Sequence, residues 1–161
     1  GYTVPVASGV RGQVVSFHDD SDVTVSLFAD GSATPKYTVS VPGGIKDSSG
    51  KYIAEYEIPD VAAGTYTMTV SKSKHVTREY TVTVNNGKVT QNAEIWLLGD
   101  VNGDGTINAK DKKIIYGHIN DSTTELTGYI FDVGDVNKDG VINAKDKKQI
   151  FGHINGTSLW S

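Results

Sequence analysis

The chain has no cysteine among its 161 residues, and it contains no long apolar run. The first absence excludes disulfide bonds, thiol nucleophiles and thiolate zinc sites. The second argues against membrane insertion, because a helix needs roughly 20 consecutive apolar residues to span a bilayer. Hydrophobic residues make up 37% of the sequence, which is enough to build a core, and the length suits one or two small domains.

An excess of positive charge is also lacking, because Lys and Arg total 15 against 19 Asp and Glu. Domains that bind nucleic acid are basic, so we expect no nucleic-acid partner. The first residues show no basic segment followed by an apolar run and therefore predict no signal peptide. Because the chain starts at Gly1, we expect it to be a fragment of a longer secreted protein whose signal lies upstream.

Residues 1–98 alternate between apolar and polar side chains, which is the mark of half-buried strands. Turn sequences such as NNG at 85–87 separate the alternating runs. Seven strands are predicted, at residues 10–17, 23–29, 37–41, 52–58, 65–71, 79–84 and 89–98. Several short strands at this spacing are typical of an antiparallel β-sandwich.

Residues 99–161 have a different character, and we place a domain boundary between 98 and 99 with almost no linker. Two acidic loops occur here, and each is followed by a helical stretch, at residues 110–120 and 145–155. Between them, Ser122 and Glu125 have the spacing of a capping box, which predicts the start of a further short helix.

The two acidic loops read DVNGDGTINAKD, from Asp100, and DVNKDGVINAKD, from Asp135. Each offers side-chain oxygens at positions 1, 3, 5 and 12 and a backbone carbonyl at position 7, and glycine at position 6 permits a sharp turn. This is the order of ligands in an EF-hand calcium loop, with aspartate in place of glutamate at position 12. The predicted calcium ligands are Asp100, Asn102, Asp104, Thr106 and Asp111 in the first loop, and Asp135, Asn137, Asp139, Val141 and Asp146 in the second. Asn108 and Asn143, at position 9, are suited to holding a water molecule on the ion.

A calcium sensor of the EF-hand type has a helix on both sides of each loop. Here AEIWLLG, which is strand-like, precedes the first loop and FDVG precedes the second, so the entering helices are expected to be missing. The pattern of a loop followed by an exiting helix, present twice, resembles the dockerin module of cellulosome-type complexes. The resemblance covers residues 99 to about 155.

The dockerin resemblance implies two bound calcium ions, a mostly helical fold with pseudo-two-fold symmetry, and a cohesin module as partner. The expected fold class is therefore multi-domain: an all-β immunoglobulin-like sandwich (1–98), then an all-α dockerin with two calcium-binding loop–helix repeats (99–161). We expect the chain to be a monomer before it binds cohesin. The resemblance also implies a secreted protein, in a complex attached to the cell surface of an anaerobic bacterium.

Segments 100–120 and 135–155 differ at only four of their 21 positions: Gly103/Lys138, Thr106/Val141, Ile114/Gln149 and Tyr116/Phe151. Calcium ligation does not require the helices to match as well, so the repeat predicts two nearly equivalent docking faces. The predicted cohesin-binding residues are Ala109, Lys110, Lys113, Ile114, Tyr116, Gly117 and His118, with their copies Ala144, Lys145, Lys148, Gln149, Phe151, Gly152 and His153. The opposite helical face is predicted to be core and contains Ile107, Ile115, Ile119, Ile142, Ile150 and Ile154.

Two further details concern specificity and closure of the module. In many dockerins of the best-known type, Ser/Thr pairs precede the last loop aspartate. Here Ala109 and Lys110 take those places, as do their copies, so a type II-like or divergent specificity is expected. A contact of Trp160 with Trp96 or Leu97 would close the module, as chain ends do in some dockerins.

The front region resembles carboxypeptidase-regulatory-like, immunoglobulin-like sandwiches, and more closely the X-module that precedes some dockerins. The run IPDVAAGTYTMTVSKSKH, at 58–75, carries much of this resemblance. It implies a module that stabilises the dockerin. An alternative is a carbohydrate-binding β-sandwich with a calcium-stabilised appendage, with tyrosines 37, 52, 56, 66 and 80 as a sugar platform. These tyrosines alternate as core residues do, which favours the first interpretation.

Enzymatic function is not expected. The sequence offers no nucleophile–base pair, no glycine-rich phosphate loop, and no paired carboxylates outside the acidic loops. We therefore predict a non-catalytic interaction module that assembles or anchors a polysaccharide-degrading complex.

Overall fold

The computed structural model describes residues 8–85, 87–120 and 126–160. The chain divides into two compact units. The sheet unit contains the residues up to Ser73 together with Thr77–Ile95, and the helical unit contains Lys74–Val76 and the chain from Trp96 onward. The division at Ile95 precedes the expected boundary at 98, and no sequence feature assigns Lys74–Val76 to the second unit.

The sheet unit is built from two sheets. In the first, β4 (Ile45–Lys46), β5 (Tyr52–Pro59), β1 (Gly9–Ser16) and β8 (Lys88–Thr90) lie in that order, and β9 (Ala93–Glu94) also pairs with β1. The order in the second is β3 (Tyr37–Val41), β2 (Val23–Ala29), β6 (Gly64–Lys72) and β7 (Arg78–Val84). Six of the seven predicted strands are thus confirmed within a residue or two.

The core of the sheet unit is formed by the inward positions of the alternating runs. On β6, for example, Tyr66, Met68 and Val70 are buried while the residues between them are more exposed. The hydroxyl of the buried Tyr56 donates a hydrogen bond to the Gln91 carbonyl oxygen, 2.6 Å away. Tyrosines 37 and 80 pack against the same core, so these four tyrosines form no exposed platform.

The seventh predicted strand, 89–98, is wrong as one element. It is divided into β8 and β9, and both pair with β1 in parallel, whereas an antiparallel sandwich was expected. Between them, Gln91 N donates to the Arg11 carbonyl oxygen, and the Asn92 side chain accepts from Gln13 N. These polar side-chain and backbone bonds interrupt the regular ladder, which the alternation of apolar residues does not reveal.

The helical unit contains α1 (Ala109–Asn120), α2 (Gly128–Gly134) and α3 (Ala144–Ile154). Helices α1 and α3 confirm the two predicted helices within one residue at each end. The capping box at Ser122 and Glu125 lies outside the described residues. Lys74–Val76 and residues 96–98 also pair, through Val76 N to the Trp96 carbonyl and Leu98 N to the Lys74 carbonyl, so the unit is not all-α.

Helix α2 is an entering helix for the second loop, which the sequence analysis expected to be missing. Its short sequence, GYIFDVG, contains two glycines and carries little helix propensity. Packing stabilises it instead, because Val133 is fully buried and Tyr129 and Phe131 lie against the core of the helical unit. Across the described part of the chain, none of the helices is long and apolar enough to cross a membrane.

The core of the helical unit agrees with most of the predicted isoleucines. Ile115 and Ile150 have no exposed surface, Ile107 and Ile142 are buried, and Ile119 is half-buried against them. The prediction is wrong for Ile154, which is the last residue of α3 and is exposed.

Candidate functional site: paired acidic loops and the face of two helices

The first acidic loop draws three carboxylates together. Oxygens of Asp100, Asp104 and Asp111 all lie within 4.8 Å of one another, and Asp100 and Asp111 have no exposed surface. Backbone N–H groups of the loop orient them: Gly105 N donates to Asp100 Oδ2 at 2.7 Å, and Asn108 N donates to Asp111 Oδ2 at 2.9 Å. The loop is therefore folded around its carboxylates.

The second acidic loop repeats this geometry closely. Asp135, Asp139 and Asp146 form the same cluster, again with oxygens within 4.8 Å of one another. The backbone N–H of Gly140 donates to Asp135 Oδ2 at 2.8 Å, and that of Asn143 donates to Asp146 Oδ2 at 2.9 Å. The agreement between independent loops indicates that the sequence pattern itself determines the arrangement.

Glycine at position 6 is required by the backbone of both loops. Gly105 has φ of 85° and Gly140 has φ of 86°, in the left-handed region that strains residues with a β-carbon. The predicted role of this glycine is confirmed. The turn lets aspartates at positions 1 and 5 approach the aspartate at position 12 from the start of the following helix.

The electrostatics of the clusters are unfavourable without a counterion. Burial, followed by the negative charges of Asp111 and Asp104, raises the pKa of Asp100 from 3.8 to about 7. Burial also raises the pKa of Asp111 and of Asp146. Charged carboxylates that are removed from water and repel one another need a proton or a cation to neutralise them.

The donor set fits calcium. Each cluster offers the oxygen atoms of three carboxylates, with an asparagine amide beside them, and a hard cation prefers oxygen ligands. Asn102 and Asn137 lie beside the carboxylates and donate through Nδ2 to Asp104 and Asp139, at 3.2 Å in each case. The loops thus have the chemistry of a calcium site, and two such clusters are present among the described residues.

The two position-9 asparagines each accept a hydrogen bond at the start of the following helix, and their role in holding a water molecule on the ion stays a prediction. Asn108 Oδ1 accepts a hydrogen bond from Lys110 N, and Asn143 Oδ1 accepts one from Lys145 N, both at 2.9 Å. At α3 this forms a complete capping box with Asp146. Each asparagine therefore caps the helix that follows its loop.

The predicted docking residues lie on α1 and α3, but they differ in exposure. The exposed members are Ala109, Lys110, Lys113 and Tyr116 on α1, and Ala144, Lys145, Lys148, Gln149 and Phe151 on α3. Ile114 is half-buried and packs against the core of the helical unit, whereas its counterpart Gln149 is exposed. Gly117 and Gly152 are half-buried. Ile114 therefore contributes to the core of the helical unit, and its predicted contact with cohesin stays a prediction.

Tyr116 and Phe151 are the most exposed large apolar side chains of the two helices, at 52% and 51%. A lysine from the opposite helix lies over each ring. Lys112 Nζ is 4.6 Å from the centre of Phe151, and Lys147 Nζ is 4.7 Å from the centre of Tyr116. Both distances suit a cation–π interaction, worth about 0.5–1 kcal/mol at an exposed site.

Lys112 and Lys147 were missed by the sequence analysis. Helical spacing alone does not indicate that the two helices cross so that each lysine meets the other repeat's aromatic ring. The available signal was the identity of the repeats, because a contact from one helix to the other recurs when the two repeats are related by two-fold symmetry.

The matching histidines are engaged in ending their helices. His118 Nδ1 accepts a hydrogen bond from Leu126 N at 3.2 Å, and His153 Nδ1 accepts one from Leu159 N at 3.3 Å. Both rings are half-buried. They direct the chain back toward the core after each helix, and their docking role stays a prediction.

The chain end closes onto the start of the helical unit. Trp160 Nε1 donates a hydrogen bond to the Leu98 carbonyl oxygen at 3.1 Å, and the indole ring packs edge-on against His153. The chain end is therefore clasped to the start of the helical unit through Leu98, and the predicted contact of Trp160 with Trp96 or Leu97 stays a prediction. Trp96 packs on Tyr129, with ring centres 5.8 Å apart.

Comparison with known proteins agrees with this site. Residues 98–155 match the family model of the dockerin type I domain. Dockerins are non-catalytic interaction modules and generally bind calcium. The matched model is of type I, whereas the Ala–Lys pairs favoured a type II-like or divergent specificity, which stays a prediction. No curated protein matches the chain.

Two solved structures resemble the chain over most of its length. They are an N-terminal and a C-terminal interface mutant of a type II cohesin–X-dockerin complex from Acetivibrio cellulolyticus. Sequence identity is 23% and 24%, respectively, and in both cases the alignment covers 91% of this chain and 94% of the other, with a TM-score of 0.39.

Proposed function

We propose that the helical unit is a calcium-loaded dockerin whose α1–α3 face binds a cohesin module. The observation that carries this proposal is the duplication of exposed helix residues that calcium does not need. Lys110, Lys113 and their copies lie on the surface and bind no ion, yet they are repeated as faithfully as the loop aspartates. The match of residues 98–155 to the dockerin family supports it.

Calcium is the proposed cofactor, with one ion in each acidic loop. The carboxylates of aspartates 100, 104 and 111, and of 135, 139 and 146, hold the ions, together with asparagines 102 and 137 and the carbonyls of Thr106 and Val141. Bound calcium neutralises the clustered charge and fixes the orientation at which α1 and α3 leave their loops. The role of calcium is structural: it orients α1 and α3, and the exposed faces of these helices bind the cohesin.

The sheet unit is proposed to be an X-module that stabilises the dockerin. Its buried tyrosines support this over carbohydrate binding, because Tyr56 and Tyr66 have almost no exposed surface for stacking on a sugar. With a cohesin as partner, the chain assembles or anchors a secreted, cellulosome-type complex that degrades polysaccharides.

Calorimetric titration against a panel of type I and type II cohesins tests the proposal, with each titration repeated in excess chelator. We expect tight binding to one cohesin class that is lost without calcium. Tyr116→Ala combined with Phe151→Ala should weaken binding, and Ile45→Ala, an exposed apolar residue of the sheet unit, is the matched control. Binding to none of the cohesins by folded, calcium-loaded protein would overturn the proposal.

A further inference from the structure

The docking face carries a charge opposite to that of the chain as a whole. A groove between α1 and α3 is lined by Tyr116 and Phe151 and by four lysines, Lys112, Lys113, Lys147 and Lys148. The only acidic residues of the two helices are Asp111 and Asp146, which have no exposed surface. The exposed charge of these helices is therefore entirely positive, although the chain has a net charge of −4.

The lysines are arranged in register with the aromatic rings. Lys112 lies over Phe151 and Lys147 over Tyr116, so two ammonium groups flank the two exposed rings in a nearly two-fold arrangement. Both lysines are half-buried, which reduces the conformational freedom they lose when a partner binds. The partner thus meets two lysines, Lys112 and Lys147, that already contact the rings.

A purely apolar partner would be a poor match for this groove. It would cover the two rings, but it would also remove four ammonium groups from water without compensation, which is unfavourable. A partner with carboxylates on either side of an apolar centre would satisfy both requirements. Charge complementarity of this kind also accelerates association.

We infer that the chain selects a cohesin whose docking surface is acidic around an apolar centre, and that Lys112 and Lys147 are the specificity-determining pair. The inference rests on the proposed function and goes beyond it by naming the chemistry of the partner surface. Lys112 and Lys147 act by contacting partner carboxylates while they hold the aromatic rings in place.

The test measures association kinetics of the full chain with cohesins that have acidic and neutral docking surfaces, at 50 and 500 mM NaCl. We expect the acidic cohesins to bind more tightly, and their association to slow with salt. Lys112→Glu with Lys147→Glu should lower affinity for them by about 100-fold, mainly through association rate. Lys36→Glu with Lys46→Glu, two exposed lysines of the sheet unit, provides the same charge change and should have little effect.

The possible outcomes separate the two proposals. If cohesins bind the wild-type chain with no preference for acidic surfaces and no salt dependence, this inference is wrong and the dockerin function stands. That measurement needs no variant, so it decides the matter even if the double substitution unfolds the helical unit. If no cohesin binds, both proposals fail. Calcium-independent retention on phosphatidylglycerol vesicles or duplex DNA, lost in the Lys112/Lys147 variant, would overturn the choice of partner.

Discussion

The indole Nε1 of Trp160 donates a hydrogen bond to the carbonyl oxygen of Leu98, 3.1 Å away and 62 residues earlier in the chain. The bond ties the last described residue of the helical unit to the residue that precedes its first acidic loop by two positions. Lys74 adds its ammonium group 5.8 Å from the centre of the Trp160 ring. The clasp therefore joins three distant segments of one unit.

Trp160→Phe should lower the stability of the helical unit by about 1 kcal/mol, because it removes one hydrogen bond and keeps most of the packing. Trp160→Ala also removes the ring contacts and should cost about 2–3 kcal/mol, less than a fully buried tryptophan because the side chain is half-buried. Thermal unfolding in saturating calcium measures both. Ile45→Ala, on the surface of the sheet unit, is the control and should leave the unfolding temperature of the helical unit unchanged. If both Trp160 variants were as stable as Ile45→Ala, the clasp would contribute nothing to stability.

The asymmetry of the repeats at Gly103 and Lys138 leads to a second prediction. Both residues have positive φ, 71° and 57°, but a β-carbon on Gly103 would lie 2.4 Å from Cε2 of Trp96. Gly103→Lys should therefore force the Trp96 ring to move and destabilise the helical unit by about 1–3 kcal/mol. The reverse change, Lys138→Gly, is the matched control and should alter stability by less than about 1 kcal/mol, because Lys138 is exposed. Chemical denaturation of both variants would contradict the argument if the two effects were equal.

Sequence periodicity predicted the elements whose side chains have one buried face. The strands around Tyr66, Met68 and Val70 and the helices around Ile115 and Ile150 follow directly from it. It failed where a long-range contact determines the local structure. Helix α2 depends on the burial of Val133, and the break between β8 and β9 depends on hydrogen bonds to β1, so neither has a local signature.

The acidic loops were predictable for a different reason. Their backbone conformation depends on local rules: a glycine in the left-handed region, and aspartates that accept hydrogen bonds from N–H groups within the same twelve residues. The docking face was only partly predictable, because Ile114 and the lysines over the rings depend on how two helices cross. Local chemistry was visible in the sequence, and the contacts between helices were not.

Calcium removal should destabilise the helical unit selectively. Each unit has its own hydrophobic core, so we expect separate calorimetric transitions, of which one depends on calcium. A free calcium concentration 1,000 times the dissociation constant contributes about 4.1 kcal/mol per site. Asp111→Ala and Asp146→Ala should each reduce the stoichiometry from two ions to one, since each removes a buried carboxylate from one cluster.

Asp132→Ala is the control for these variants, because Asp132 is an exposed acid of α2 outside both loops. It should retain two ions and the wild-type transition temperature. If chelation shifted both transitions equally, or left both unchanged, calcium would have no selective role in the helical unit.

The raised pKa of Asp100 predicts how the calcium-free protein responds to pH. In the folded chain this carboxyl holds its proton up to about pH 7, whereas in the unfolded chain it releases the proton near its ordinary value of 3.8. Between these values the folded state binds more protons than the unfolded state, so stability falls as pH rises through the window. Without calcium, the helical unit should therefore unfold at a lower temperature at pH 8 than at pH 5.

Calcium should reverse this trend, because the ion competes with protons for the same carboxylates and its affinity rises with pH across the window. Asp100→Asn, studied without calcium, should weaken the dependence, since the amide does not titrate, while the raised pKa values of Asp111 and Asp146 leave part of it in place. The pKa values of Asp47 and Glu57 in the sheet unit are lowered, so these groups destabilise the fold only as pH falls below about 4.5, and they do not affect the comparison of pH 5 with pH 8. Circular dichroism at 222 nm, which follows the helices, measures the transition, and a calcium-free helical unit that is more stable at pH 8 than at pH 5 would contradict the argument.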